Sequence, residues 1–211
     1  MRPARVRLVD LGFDRDFDTS MAFAQSLIQS LVARASDNPL AEVEFIRTRD
    51  FWTVAAALQN PADIIHVIAH GGSGPDDLGF WSDDEESTLN LTELAETFAE
   101  DGEGIESPVL FADCCGTAQG RFTRAIRDCI EQPIAYIGAR RMVSWHESTT
   151  FSSAFYGAYF RDRGRGLPGP ARGLQAARRA IDGYEAIVNG SCPFSVTELV
   201  PSRRAKNTLG R

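Results

Sequence analysis

Short apolar runs alternate with segments of helical spacing along most of this chain, and that alternation constrains the fold more than any other feature of the sequence. Val6 to Leu11, Val43 to Ile46, Ile64 to Ala69, Val109 to Ala112 and Ile134 to Ile137 are brief and rich in β-branched residues, as strands buried on both faces require. Between them, Thr19 to Ala35 sets Met21, Ala24, Leu27, Ile28, Leu31 and Val32 on one helical face, and Asp50 is a candidate cap for a helix carrying Trp52 to Leu58. Asn90 with Glu93 fits a capping box for a helix through Phe98, and Gly120 to Ile130 again has helical periodicity. Helices from about Glu147 to Phe160 and from Gly173 to Val188 follow, and Phe194 to Val200 reads as a last strand. A β-α-β-α order predicts an α/β fold: a three-layer α-β-α sandwich with a mostly parallel sheet, its functional groups at the carboxyl ends of strands.

The 211 residues suit a single domain, 1–211, with an exposed basic loop at about 161–173, rich in glycine, proline and arginine, and a C-terminal tail at about 201–211. A net charge of −7 argues against a phosphate-backbone binder, so no nucleic-acid partner is expected. No apolar run reaches the roughly 20 residues of a membrane span, and Met1 to Asp18 holds no signal-peptide apolar segment, so the expectation is a cytoplasmic protein with no membrane partner. Four cysteines are too few for a disulfide scaffold, and no spacing suits a zinc site. Asp83 to Glu86, after a turn at Gly71-Gly72-Ser73-Gly74, read as a solvated loop, with a cation site as the alternative.

Two strand ends carry reactive groups. Asp63-Ile-Ile-His-Val-Ile-Ala-His70 delivers a histidine into Gly71-Gly72, and Pro108-Val-Leu-Phe-Ala-Asp-Cys-Cys115 delivers a cysteine into Gly116-Thr117. In a parallel sheet both arrive at the same edge, where an imidazole can activate a thiol and glycine lets backbone N–H groups approach a substrate carbonyl. His66 shares strand parity with His70; its mid-strand position favours a hydrogen-bonded interior histidine over the catalytic base. Cys129 and Cys192 read as buried small hydrophobes.

On these residues the chain resembles the caspase-like cysteine peptidases, the superfamily of caspases, metacaspases, legumain, separase and the bacterial CHAT proteases. His70-Gly71 matches the family's first strand end, and Asp113-Cys114-Cys115 its second; the Asp-x-Cys arrangement resembles metacaspases and makes Cys115 the implied nucleophile. Val143-Ser144-Trp145-His146 resembles the Ser-Trp-Arg segment lining the caspase substrate groove, and Gly116-Thr117 is closer to CHAT-type turns. The resemblance implies an endopeptidase with a His70–Cys115 dyad, an oxyanion held by the backbone N–H groups of Gly71 and Cys115, and a groove formed by Ser144, Trp145 and His146. It also implies that Asp113 floors the pocket for the residue before the cut. An acidic floor favours a basic side chain, and bidentate pairing with a carboxylate favours arginine over lysine.

Only Gly116 to Met142 separates the cysteine from the groove segment, so no two-subunit maturation is expected. The resemblance implies no cofactor; Ca2+ activation is the one cation role left open. Implied partners are a protein substrate and a separate activator or regulator, in a bacterial defence or regulated cell-death system. The competing readings are a catalytically silent caspase-like module that binds proteins through its groove, and a different hydrolase or transferase using the same thiol.

Overall fold

The computed structural model describes residues 2–11, 26, 40–73, 78–81, 88–161 and 166–202. A six-stranded sheet forms its centre, built from β1 (Ala4–Asp10), β2 (Ala41–Arg47), β3 (Ile64–Ile68), β7 (Val109–Asp113), β8 (Ile134–Ala139) and β9 (Phe194–Leu199) in the order β2-β1-β3-β7-β8-β9. Every neighbouring pair is parallel except β8 with β9. The strands β3, β7 and β8 are buried at every position, which explains their unbroken apolar runs.

Helices α1 (Phe51–Gln59), α2 (Leu91–Asp101) and α3 (Gly120–Cys129) cover one face, and α4 (Trp145–Arg161) and α5 (Gly169–Val188) cover the other. Strand alternation divides the core between them. Leu110 and Ala112 meet Val54, Leu58, Leu94, Phe122 and Ile126 on the first face, while Val109 and Phe111 meet Phe151, Phe155, Tyr159 and Ala176 on the second. Phe111 anchors the second core, edge-on to Phe151, Phe155 and Phe194 at 5.6, 5.7 and 5.6 Å. The caps expected at Asp50 and Asn90 are present: Asp50 accepts from the Thr53 N–H, and Asn90 from those of Thr92 and Glu93. The α/β architecture of mostly parallel strands between helical layers follows the sequence expectation.

Three features differ from it. A second, antiparallel sheet is formed by β4 (His70–Ser73), β5 (Leu78–Trp81) and β6 (Thr88–Asn90), so Gly71, Gly72 and Ser73 lie in a strand rather than a turn. Glycine-rich composition is poor strand chemistry, but here it meets a steric demand: a Cβ on Gly71 would lie 2.3 Å from the Cys115 carbonyl oxygen. Helix α4 starts at Trp145, ahead of the expected Glu147. Helix α5 starts at Gly169, inside the interval expected to be an exposed loop. Its Pro170 suits a first turn, and Gly173 is present for contact rather than flexibility, since a Cβ there would lie 2.6 Å from Val109 Cγ2 and 2.8 Å from Ala135 Cβ. Apart from Ser26, which is helical, the expected helix Thr19 to Ala35 lies outside the described residues, as do Asp83 to Glu86, the loop interior 162–165 and the tail from 203 onward.

Two glycines of α5 should therefore respond oppositely to substitution. Gly173→Val is expected to cost roughly 2–3 kcal/mol by overpacking against β7 and β8. Gly183→Ala, whose new Cβ would meet only Ala154 at 3.9 Å, should gain about 0.5–1 kcal/mol of helix propensity. Urea denaturation of both variants reads the two signs.

Candidate active site

The parallel ladder between β3 and β7 pairs Ile65 with Leu110, His66 with Phe111, Val67 with Ala112 and Ile68 with Asp113. Two residues beyond the last pair stand His70 and Cys115, so the imidazole and the thiol leave neighbouring strands at one edge of the sheet. Packing beyond the ladder keeps these ends together. The Cys114 thiol donates to the Val67 carbonyl at 3.7 Å, and Gly71 abuts the backbone of Cys115.

Strand parity sorts the three consecutive residues at the end of β7. Asp113 turns toward α4, Cys114 turns into the α1–α3 core at 3% exposure, and Cys115 sits half-buried at the rim. Burial, with the Asp113 charge adding to it, pushes the Cys114 thiol well above the ordinary cysteine range. Cys129 is pushed up to about 12, by burial first and the Asp128 charge second, and Cys192 is also raised, mainly by burial. A thiol held protonated inside a core is a poor nucleophile. Cys115 is the one of the four placed where a substrate can reach it.

The turn after Cys115 is braced from β8. Thr117, fully buried, donates from Oγ to the Cys114 carbonyl at 2.9 Å and accepts the Ala139 N–H at 3.0 Å, while the Tyr136 hydroxyl donates to the Thr117 carbonyl at 2.9 Å. The segment after β8 meets the cysteine directly: the Val143 N–H donates to Cys115 Sγ at 3.4 Å, and the Gly116 N–H donates to the Arg141 carbonyl at 3.3 Å.

Ser144 caps α4. Its Oγ accepts the Glu147 N–H at 3.4 Å, and Glu147 Oε2 in turn accepts the Ser144 N–H at 2.9 Å, a reciprocal Ser-x-x-Glu box. Arg141 closes the arrangement with an ion pair to Glu147 at 2.6 Å. The hydrogen bond from Arg141, followed by those from Ser144, outweighs partial burial and holds the Glu147 carboxyl down at about 2. Reading Ser144 only as groove lining missed this clamp, although the box spacing is visible in the sequence. Trp145, 42% exposed, stacks obliquely on the exposed His146 ring, with centroids 3.6 Å apart.

His66 is completely buried and uses both ring nitrogens, Nδ1 with the Tyr156 hydroxyl at 2.9 Å and Nε2 with Asp113 Oδ2 at 3.3 Å, while stacking on Phe111 at 4.1 Å. It is a satisfied interior histidine, and His70 is the half-buried one at the rim. Asp113 also accepts from Ser148 Oγ, again on Oδ2. A guanidinium fork aimed at this carboxylate would find one of its two oxygens already taken. Among the described residues no group of three or more His, Cys, Asp and Glu side chains is arranged to hold a metal ion, and no helix is long and apolar enough to cross a membrane.

No protein-family model matches the sequence, and no curated protein matches it. Solved structures do. The X-ray structure of a secreted C11 cysteine protease from Bacteroides thetaiotaomicron, "iotapain", aligns with a TM-score of 0.56 at 10% identity, covering 94% of this chain and 67% of that one. A secreted C11 cysteine protease from the same organism, solved with an irreversible peptide inhibitor, aligns with a TM-score of 0.53 at 12% identity, covering 87% of this chain and 59% of that one. At these identities the likeness is one of fold: the chain has the caspase-like α/β architecture that the C11 cysteine proteases share, and it spans about two thirds or less of their length.

Two outcomes follow from this geometry. In the native protein iodoacetamide should modify Cys115 first, with Cys114, Cys129 and Cys192 protected until unfolding; peptide mass mapping of the labelled sites checks this. Glu147→Ala should lower stability by about 1 kcal/mol near neutral pH through loss of the cap. Because the folded carboxyl titrates below its ordinary value of 4.5, its stabilisation is full above that value and fades as pH falls toward about 2. Denaturation curves of variant and wild type should accordingly converge in strong acid.

Proposed function

We propose that the protein is a cysteine endopeptidase with Cys115 as nucleophile and His70 as general base and acid. The observation that carries the reading is the β3–β7 register, which brings His70 and Cys115 to adjacent strand ends, with Cys115 half-buried and Cys114 sealed in the core. His70 takes the Cys115 proton as sulfur attacks the scissile carbonyl carbon, and the backbone N–H groups of Gly71 and Cys115 hold the oxyanion. Collapse of the tetrahedral adduct breaks the C–N bond, and the proton passes from His70 to the leaving amine. Water, deprotonated by His70, then hydrolyses the thioester and frees the enzyme. The chemistry needs no cofactor.

The substrate is a protein cut after a basic residue, arginine ahead of lysine. Asp113 floors that pocket, and Ser144, Trp145 and His146 line the groove. The exposed Trp145 and His146 rings, beside the loop that touches the Cys115 sulfur, support this placement. The whole chain acts as one peptidase domain under a separate regulator in a bacterial defence or cell-death system, by analogy with the resembling bacterial peptidases. Its cytoplasmic location belongs to the same proposal; both solved neighbours are described as secreted.

Fluorogenic peptides ending in arginine, lysine, aspartate or leucine test the reading. Wild type should release fluorophore from the basic peptides. Cys115→Ala and His70→Ala should each lose roughly a thousandfold or more in kcat/KM, and Cys114→Ala should retain most of it. Full activity in Cys115→Ala would sink the mechanism.

A further inference from the structure

Asp113 is held from behind by His66 and Ser148, and through His66 by Tyr156, none of which any step of the chemistry uses. The Tyr156 hydroxyl lies 2.9 Å from His66 Nδ1, and burial keeps that phenol protonated, raising its pKa well above the ordinary tyrosine value. Nε2 faces the Asp113 carboxylate, an acceptor, so it carries a proton and donates it to Oδ2 at 3.3 Å, while Nδ1 meets the Tyr156 hydroxyl. Ser148, in the first turn of α4, donates its hydroxyl to the same oxygen.

A carboxylate oxygen offers about two lone-pair sites. Two donors on Oδ2 therefore fill it, whereas Oδ1 accepts no hydrogen bond among the described residues. The Asp113 side chain is 5% exposed, so whatever it offers a substrate is a narrow opening. Lysine's ammonium needs one acceptor and suits Oδ1 alone. Arginine's advantage over lysine comes from a planar fork that engages both carboxylate oxygens in parallel, and here half of that target is occupied.

We propose that Ser148 is a specificity-determining residue that acts by positioning Asp113: its hydrogen bond to Oδ2 leaves the pocket floor a single-oxygen acceptor and so narrows the preference for arginine over lysine. The proposal rests on the reading of Asp113 as that floor, and it makes lysyl bonds substrates beside arginyl ones, with arginine ahead by a reduced margin. Ser148 itself touches no substrate. His66 is the second tether, but its stacking on Phe111 and complete burial make it a poor site for a clean substitution.

The test is the ratio of kcat/KM for a matched pair of fluorogenic peptides differing only in a terminal arginine or lysine. Ser148→Ala frees one lone-pair site on Oδ2 and should raise the arginine-to-lysine ratio about three- to tenfold, the scale of one net hydrogen bond. Ser148→Gly, which also lacks the hydroxyl, gives an independent reading of the same ratio. Ser148→Thr restores the donor and should return the ratio to the wild-type value, which a merely structural role would not require. An unmoved ratio in both hydroxyl-free variants, whether activity falls equally on the two peptides or stays constant, overturns the proposal. Asp113→Asn separates the two levels of the argument: loss of preference for basic over leucine peptides upholds the pocket, so an unmoved Ser148 ratio then defeats only the positioning role. Retention of that preference in Asp113→Asn overturns the pocket reading and the role of Ser148 with it.

Discussion

The pairing of β3 with β7 is the constraint on which the site depends. Both strands are enclosed by helices on both faces, so nearly every position along them must be apolar, and polar groups are admitted cheaply only where the strands end. The register then decides which two ends coincide. A slip of one residue would turn Asp113 into the α1–α3 core and Cys114 toward α4, reversing which thiol is sealed. The close approach of Gly71 to the Cys115 carbonyl oxygen guards that register from outside the ladder, because a side chain at 71 would force the two ends apart.

One polar group breaks the apolar rule within β3, and its surroundings show what that requires. A buried imidazole with an unmet nitrogen costs about 1–3 kcal/mol, and His66 avoids the penalty by meeting Tyr156 on one side, Asp113 on the other, and the Phe111 ring on its face. Tyr156 belongs to α4, Asp113 and Phe111 to β7, so a single interior histidine ties two strands to the helix above them. The orientation of the Asp113 carboxylate is in this way set by the core.

Much of this could be read in the chain beforehand, for identifiable reasons. Strands β1, β3, β7 and β8 are legible because central parallel strands need continuous apolar runs, and the caps at Asp50 and Asn90 because their partners lie within three residues. His70 and Cys115 stood out as polar groups at the ends of such runs. Where contacts span long separations, the local signal misleads. Gly71 looks like a turn until residue 115 is beside it, Gly173 looks like a loop until β7 and β8 are beneath it, and the tether from Ser148 to Asp113 crosses 35 residues. Glu147 was missed for another reason. Ser144 to Glu147 carries a capping box inside a segment that already had a functional reading, and the second meaning of the same four residues was overlooked.

That double use bears on how the groove and the thiol work together. The segment that resembles substrate lining is also the one whose Val143 N–H reaches the Cys115 sulfur, so what fixes the segment also fixes that contact. Glu147, held down at about 2 by Arg141 and Ser144, remains ionised throughout the range near ~6.5 in which histidines ordinarily titrate. The clamp therefore keeps its charge at any pH well above about 2. The ion pair from Arg141 to Glu147 and the Ser144 cap thus hold the 143–147 segment against the Cys115 sulfur across the neutral range.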